Sequence, residues 1–212
     1  MFKRLSILLR KPEDTRDSFA SKWERHGYLV SQLPLIRAYL QNHVIERFGP
    51  RGIPEADGIV ELLFDRPEDM TTAFSDPRAA LVRADEPGFL GHGTGYALER
   101  DSPCLAAPQG EKLIVVLDSS ADERLAAALL SEAASSRGFR GGFRDNVQTI
   151  IGRPEMERGP QQVLGFLHLL FKDAETATNA GLRLAAAAAD AEAASIFRVR
   201  AIPVLPLSPA AG

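Results

Sequence analysis

The sequence holds little that marks specialised chemistry at a glance. One cysteine, Cys104, occurs in 212 residues, so no internal disulfide and no cysteine cluster for zinc can form. That composition fits a reducing compartment. Cys104 lies in Ser102-Pro103-Cys104 with no neighbouring base or helix start to activate its thiol, and it reads as a passive linker residue. No run approaches the roughly 20 apolar residues of a membrane-spanning helix. Met1–Arg10 is too short and too charged for a secretion signal, so the cytoplasm is the expected location. Basic runs are missing too. Lys and Arg are scattered and the net charge is −3, which excludes the electrostatic footprint of a nucleic-acid or anionic-membrane partner. The 4 histidines never stand at helical i, i+4 spacing, and neither a metal nor any other cofactor is expected.

What is present is an ordinary globular composition, 45% hydrophobic and 25% charged, enough for one large domain or two smaller ones. The chain opens with a strand over Lys3–Arg10, ended by Lys11-Pro12. Asp14 or Thr15 can cap a helix running to about Gln32, with Phe19, Trp23, His26, Val30 and Leu33 on its buried stripe. Pro34 stops it. Leu35–Phe48 alternates as a strand, with Ile36, Ala38, Leu40 and Val44 on one face and Tyr39, Gln41, His43 and Ile45 on the other. Asp57–Asp65 is a third strand, Pro67 opens a second helix, and Ser75-Asp76-Pro77 a short third one. Gly91–Gly95 (GHGTG) precedes a strand at Tyr96–Arg100 instead of following one. It therefore reads as a turn with an exposed His92, not as a phosphate loop.

This β-α-β-β-α-β order is that of a ferredoxin-like unit, with an antiparallel sheet and its helices on one face. The bare face needs a cover, commonly a second sheet. The second half of the chain repeats the order. Strands are expected at Lys112–Asp118, Phe143–Arg153, Val163–Lys172 and Ile196–Ile202, and Ala-rich helices at Asp122–Arg137 and Asp173–Ala189. Asp57–Asp65 aligns with Leu164–Lys172, which pairs Gly58 with Gly165, Phe64 with Phe171 and Glu61 with His168. The expected fold is therefore α+β: two ferredoxin-like repeats, residues 1–103 and 112–212, joined by a linker over 104–111, before a frayed Pro-rich tail.

Several motifs follow one another in the first half: Lys3–Pro12, Phe19-x3-Trp23-x2-His26, Leu33-Pro34, Tyr39-x-Gln41-Asn42-His43, Asp57-Gly58-Ile59-x-Glu61-Leu62-x-Phe64-Asp65, and Ala73–Pro77 with Ala84-Asp85-Glu86-x2-Phe89. In this order and spacing they resemble the EthD family of dimeric α/β-barrel proteins. The resemblance implies two sheets packed as a barrel around a pocket, here within one chain as a pseudo-dimer. The wider superfamily includes cofactor-independent monooxygenases, cyclases and dehydratases. Two departures stand out. Gly27-Tyr28 follows His26 where the family often has a small residue and Pro. The first helix of the second half has neither Trp nor His, so one such site is expected instead of two.

The candidate catalytic residues are His26, His43 and Glu61, and the candidate substrate-binding residues are Trp23, Tyr39, Gln41 and His168. Imidazole exchanges protons near neutrality. Glu61, alone in an apolar strand, needs a partner, and His43 or His26 is the natural one. Tyr39, Gln41 and His43 are expected to line the pocket while Ile36, Ala38 and Leu40 face the helices. His168 is expected to face Glu61 across the barrel, and Trp23 to seal helix against sheet. Together these imply a small apolar or phenolic ligand and either cofactor-independent oxidation, dehydration or cyclisation by proton transfer, or a non-catalytic carrier of such a molecule. Remaining sheet edges would allow a homodimer.

Overall fold

The computed structural model describes residues 1–49, 54–98, 110–152, 159–189 and 193–206. Among the described residues eight strands close into a ring, and most of them bury side chains on both faces, the strand Phe139–Ile151 being largely half-buried or exposed. The strands are β1 (Phe2–Arg10), β2 (Ala38–Phe48), β3 (Gly58–Phe64), β4 (Leu90–Leu98), β5 (Glu111–Asp118), β6 (Phe139–Ile151), β7 (Val163–Phe171) and β8 (Ala194–Leu205). Round the barrel they run β1-β3-β2-β8-β5-β7-β6-β4, every neighbour antiparallel.

Each half thus supplies four adjacent strands in equivalent order, and two seams, β2–β8 and β4–β6, join the halves. The helices α1 (Arg16–Ser31), α2 (Pro67–Ser75) and α3 (Ala79–Asp85) belong to the first half, and α4 (Glu123–Ala134) and α5 (Ala174–Ala188) to the second. Short polar side chains start three of them. Thr15, Asp122 and Asp173 accept from the backbone N–H of Ser18, Leu125 and Thr176, each cap contributing about 1 kcal/mol.

Three apolar layers result. The barrel interior holds Leu5, Ile7, Val44, Ile59, Tyr96, Ile114, Phe166 and Phe197. Between the first half's sheet and its helices lie Phe19, Trp23, Val30, Tyr39, Val60, Leu62 and Phe89. In the second half, Leu113, Val115, Leu129, Leu167, Leu169, Phe171 and Leu184 fill the corresponding space with aliphatic and aromatic carbon.

Several boundaries differ from those expected. Strand β2 starts at Ala38, because Leu35 adopts a left-handed φ of 66° that breaks an extended chain. GHGTG is not a turn. It lies inside β4, paired with β1, and His92 and Thr94 are buried. Strand β8 continues through Pro203 to Leu205, where a register shift opposite Tyr39 and Leu40 accommodates the proline. The ring pairs every described strand on both sides, so the open sheet edges expected to serve a homodimer are absent among the described residues. The linker with Cys104 lies outside the described residues, apart from Gly110 and Glu111 at its end.

Candidate functional site

Helix α1 owes its place to a stripe at 19, 23, 26, 27 and 30, all buried. The stripe presses on the outer face of β1, β3 and β2. Trp23 is fully buried, with its ring 5.5 Å from that of Phe19 and 4.4 Å from that of His43. Its indole N–H has no aligned hydrogen bond, although it lies near enough to the Tyr39 phenol to favour the anion.

The β2 residues that face this helix are Tyr39, Gln41 and His43. The alternation of the strand is as expected, but its faces are exchanged: Leu40, Asn42 and Val44 point into the barrel, and the odd-numbered side chains point out to α1. The exchange has a physical reason. Trp23 needs flat polar-aromatic neighbours that can also satisfy the backbone of α1. Gln41 supplies both, donating from Nε2 to the Trp23 carbonyl (2.8 Å) and to the Tyr39 hydroxyl (2.9 Å). Its Oε1 lies 3.1 Å from His43 Nε2, which fixes the imidazole with the proton on that nitrogen. Burial, with a further push from Arg200, lowers the His43 pKa to about 4, so the ring stays neutral. Burial drives the Tyr39 phenol above its ordinary value, against the hydrogen bonds from Gln41 and Trp23, so it stays protonated.

His26 does not meet Glu61. Its Nδ1 lies 2.8 Å from Asp85 Oδ2, and its ring packs 4.9 Å from that of Phe89. His26 is nearly buried, whereas the Asp85 side chain is 46% exposed, so the dyad bridges the interior to solvent. With Nδ1–H donating to the carboxylate, Nε2 is left as the basic nitrogen. Beside it is a cavity of about 40 Å³ lined by Arg4, Ser6, Trp23, His26, Tyr39 and Glu86 together with Leu8, Val60, Leu62, Phe74 and Phe89. Asp85, the last residue of α3, stands in the family-like stretch Ala84-Asp85-Glu86-x2-Phe89 but is not legible there as a site residue, because that local pattern does not report which distant side chain it meets.

Glu61 belongs to a second constellation, on the other side of the sheet. Inside the barrel its carboxylate takes Lys112 Nζ at 2.5 Å, Lys3 Nζ at 3.1 Å and Asn42 Nδ2 at 2.9 Å. Lys3 also reaches Asp145 at 2.6 Å. His168 Nδ1 lies 3.8 Å from Glu61, the facing arrangement expected, and its Nε2 is 2.9 Å from Asp145 Oδ2. That last contact is close but misaligned, and neither ring nitrogen of His168 makes a well-formed hydrogen bond. Phe143 stacks on the His168 ring at 4.5 Å.

Burial opposes the Glu61 charge, but Lys112 and Lys3 outweigh it and hold the carboxyl well below its ordinary range. The Asp145 carboxyl is likewise lowered: His168 and Lys3 overcome burial. Burial lowers the Lys112 ammonium despite the opposing pull of Glu61, while Glu61 and Asp145 overcome burial to raise that of Lys3. His168 is lowered to about 4, by burial and then by the two lysines. The sequence carried a signal for both lysines: Lys3 alternates with Leu5 and Ile7, and Lys112 with Ile114 and Val116, on the face that turns inward.

Among the described residues no group of three or more His, Cys, Asp or Glu side chains is placed to hold a metal ion. No helix there is long and apolar enough to cross a membrane.

The model of the EthD domain matches residues 11–93, the span from just after β1 into β4, which holds the lining of the α1 chamber apart from Arg4, Ser6 and Leu8 on β1. Residues 11–93 form an EthD domain. No curated protein sequence matches it. Among solved structures, it resembles an anthrone oxidase-like protein, with a TM-score of 0.62 at 9% identity over 100% of this chain and 96% of the other. It also resembles a candidate monooxygenase from Fusobacterium nucleatum, with a TM-score of 0.51 at 6% identity over 94% of this chain and 91% of that one. At such identities the likeness shows the fold: a dimeric α/β barrel, here completed by a single chain. The EthD match ends before β5, and the second half keeps the strand order while its helix-covered layer is packed with carbon.

Proposed function

We propose that the chamber between α1 and the outer face of β1–β3–β2 takes up a small, largely apolar molecule bearing a phenol or an enolisable carbonyl, and that His26 removes a proton from it. The observation that carries this reading is the His26–Asp85 dyad at the edge of a cavity walled mostly by apolar and aromatic side chains, with Arg4, Ser6, Tyr39 and Glu86 as its other polar groups. The carboxylate fixes the tautomer and supports the imidazolium that forms, and low-dielectric walls strengthen both effects. Tyr39, a protonated phenol, is a hydrogen-bond donor for the oxygen that gains charge as the proton leaves. Gln41 orients Tyr39, and His43 supports Trp23 and Gln41 from the far side.

A carbanion made in this way reacts with dioxygen, or loses a leaving group, with nothing further from the protein than orientation. The names of the structural neighbours favour the oxidative branch. The void of about 40 Å³ is well below the roughly 300–1,000 Å³ of a typical small-molecule site. Uptake of such a molecule therefore requires the walls of the chamber to move apart.

The test uses the only tryptophan in the chain as reporter. Anthrones and substituted phenols are titrated against Trp23 fluorescence while oxygen uptake is followed. Saturable quenching with oxygen uptake that falls roughly 10²–10⁴-fold in His26→Ala supports an oxidase. Quenching with no turnover makes the protein a carrier. No quenching by any member of the panel refutes the chamber as a binding site for this class.

A further inference from the structure

The charged layer inside the barrel is built twice. Lys3 pairs in register with Leu63 on β3, and Lys112 with Leu170 on β7. Asn42 pairs with Ile59, and Asp145 with Phe166. Position 61 aligns with 168, and the same offset of 107 residues carries 59 to 166 and 63 to 170. Lys3 and Lys112, Asn42 and Asp145, and Glu61 and His168 are therefore three equivalent pairs about the axis that relates the halves.

The first half presents Lys, Asn and Glu, and the second Lys, Asp and His. The acid has moved from the third strand of the half to the second. Two ammonium groups and two carboxylates remain, a neutral set once His168 is uncharged. The shift also decides what meets across the barrel. Glu61 faces an imidazole 3.8 Å away. Two copies of the first half's pattern would set a carboxylate there instead, with like charges in contact inside a layer that is almost wholly out of water.

We infer that the Asp145–His168 exchange makes the inner face of the second half a specific partner for that of the first half, fitting it better than a second copy of the first half's own pattern would. Lys3–Asp145, Lys112–Glu61, Lys112–Asn42 and His168–Glu61 all cross between halves, so the recognition is read by six side chains and not by apolar packing alone. This inference is independent of any ligand in the α1 chamber.

The test is a double-mutant cycle on the full chain, read by thermal and urea unfolding. Asp145→Asn strips Lys3 of its second acid, and His168→Glu adds a carboxylate beside Glu61 and Asp145. Each single variant should lower Tm by roughly 10 °C. Asp145→Asn/His168→Glu restores neutrality and recreates the first half's pattern in both halves. It should be more stable than either single variant and less stable than the wild type. A double variant no better than the worse single overturns the charge balance. One equal to the wild type overturns the pairing preference. His168→Gln, neutral and of similar reach, separates charge from shape: it should keep most of the stability that His168→Glu loses. If instead both variants fall equally, or both fail to fold, packing alone accounts for position 168 and the inference fails.

Discussion

Trp23 packs its six-membered ring directly against Gly58. A β-carbon on Gly58 would come within 2.4 Å of the tryptophan ring, closer than any real contact. The glycine at the head of β3 and the tryptophan of α1 are therefore one feature, and helix and sheet approach as closely as they do because residue 58 has no side chain. Gly58→Ala should destabilise the protein by about 1–3 kcal/mol, the usual cost of overpacking. It should also shift the Trp23 emission, measured by urea unfolding with fluorescence detection. Unchanged stability would mean that α1 can lift off the sheet at little cost.

The two buried neutral histidines make stability depend on pH between about 4 and 6.5. Their folded pKa values, near 4, lie below the ordinary value of about 6.5. As pH falls through that window the unfolded chain binds protons that the folded chain refuses, so stability is full above pH 6.5 and is lost towards pH 4. Each histidine contributes at most about 3 kcal/mol to this loss. Below pH 4 the lowered carboxyls of Glu61 and Asp145 extend the decline. His168→Gln should flatten the slope of unfolding free energy against pH by up to one proton. An unchanged slope would show that His168 is charged in the folded protein.

On the proposed function, Asp85 positions His26. Because Asp85 is half exposed, water replaces part of its role, and Asp85→Asn should cost less turnover than His26→Ala. The loss should fall on kcat, with little change in KM. An equal loss in both variants, in KM as much as in kcat, would point to a shared structural defect.

Leu35 stands in the left-handed region without being glycine, in the turn that leads from α1 to β2. Such a conformation costs a non-glycine residue roughly 1–2 kcal/mol, and asparagine bears it more easily. The side chain is 44% exposed and has little packing to lose. Leu35→Asn should raise Tm by a few degrees in calorimetry, and a fall would show that the leucine's contacts outweigh the strain.

The order of elements was legible in the sequence because strand alternation, helical stripes and short-side-chain caps are local signals, and Thr15, Pro67, Asp122 and Asp173 carried them. The duplication was legible through Asp57–Asp65 and its echo in β7. What misled was the choice of face for β2. Tyr39, Gln41 and His43 look like the lining of a pocket between the sheets, and Ile36, Ala38, Leu40 and Val44 like the face turned to the helices. Both faces of a closed barrel under helices are buried, so polarity no longer distinguishes inside from outside. His92 was misplaced for the same reason, since glycine-rich GHGTG reads as a turn but pairs as a strand with β1. The His26–Asp85 contact spans 59 residues, and no periodicity reports an encounter of that kind.

A closed ring has no preferred first strand. Leu205 pairs with Tyr39, Tyr39 with Leu62 and Leu62 with Arg4, so the end of β8 lies three strand spacings, about 14 Å, from the start of β1. A short tether could bridge that gap. A circularly permuted chain, beginning with Glu111 and finishing with Leu98, would then retain every hydrogen-bonded ladder while the second half emerged first from the ribosome.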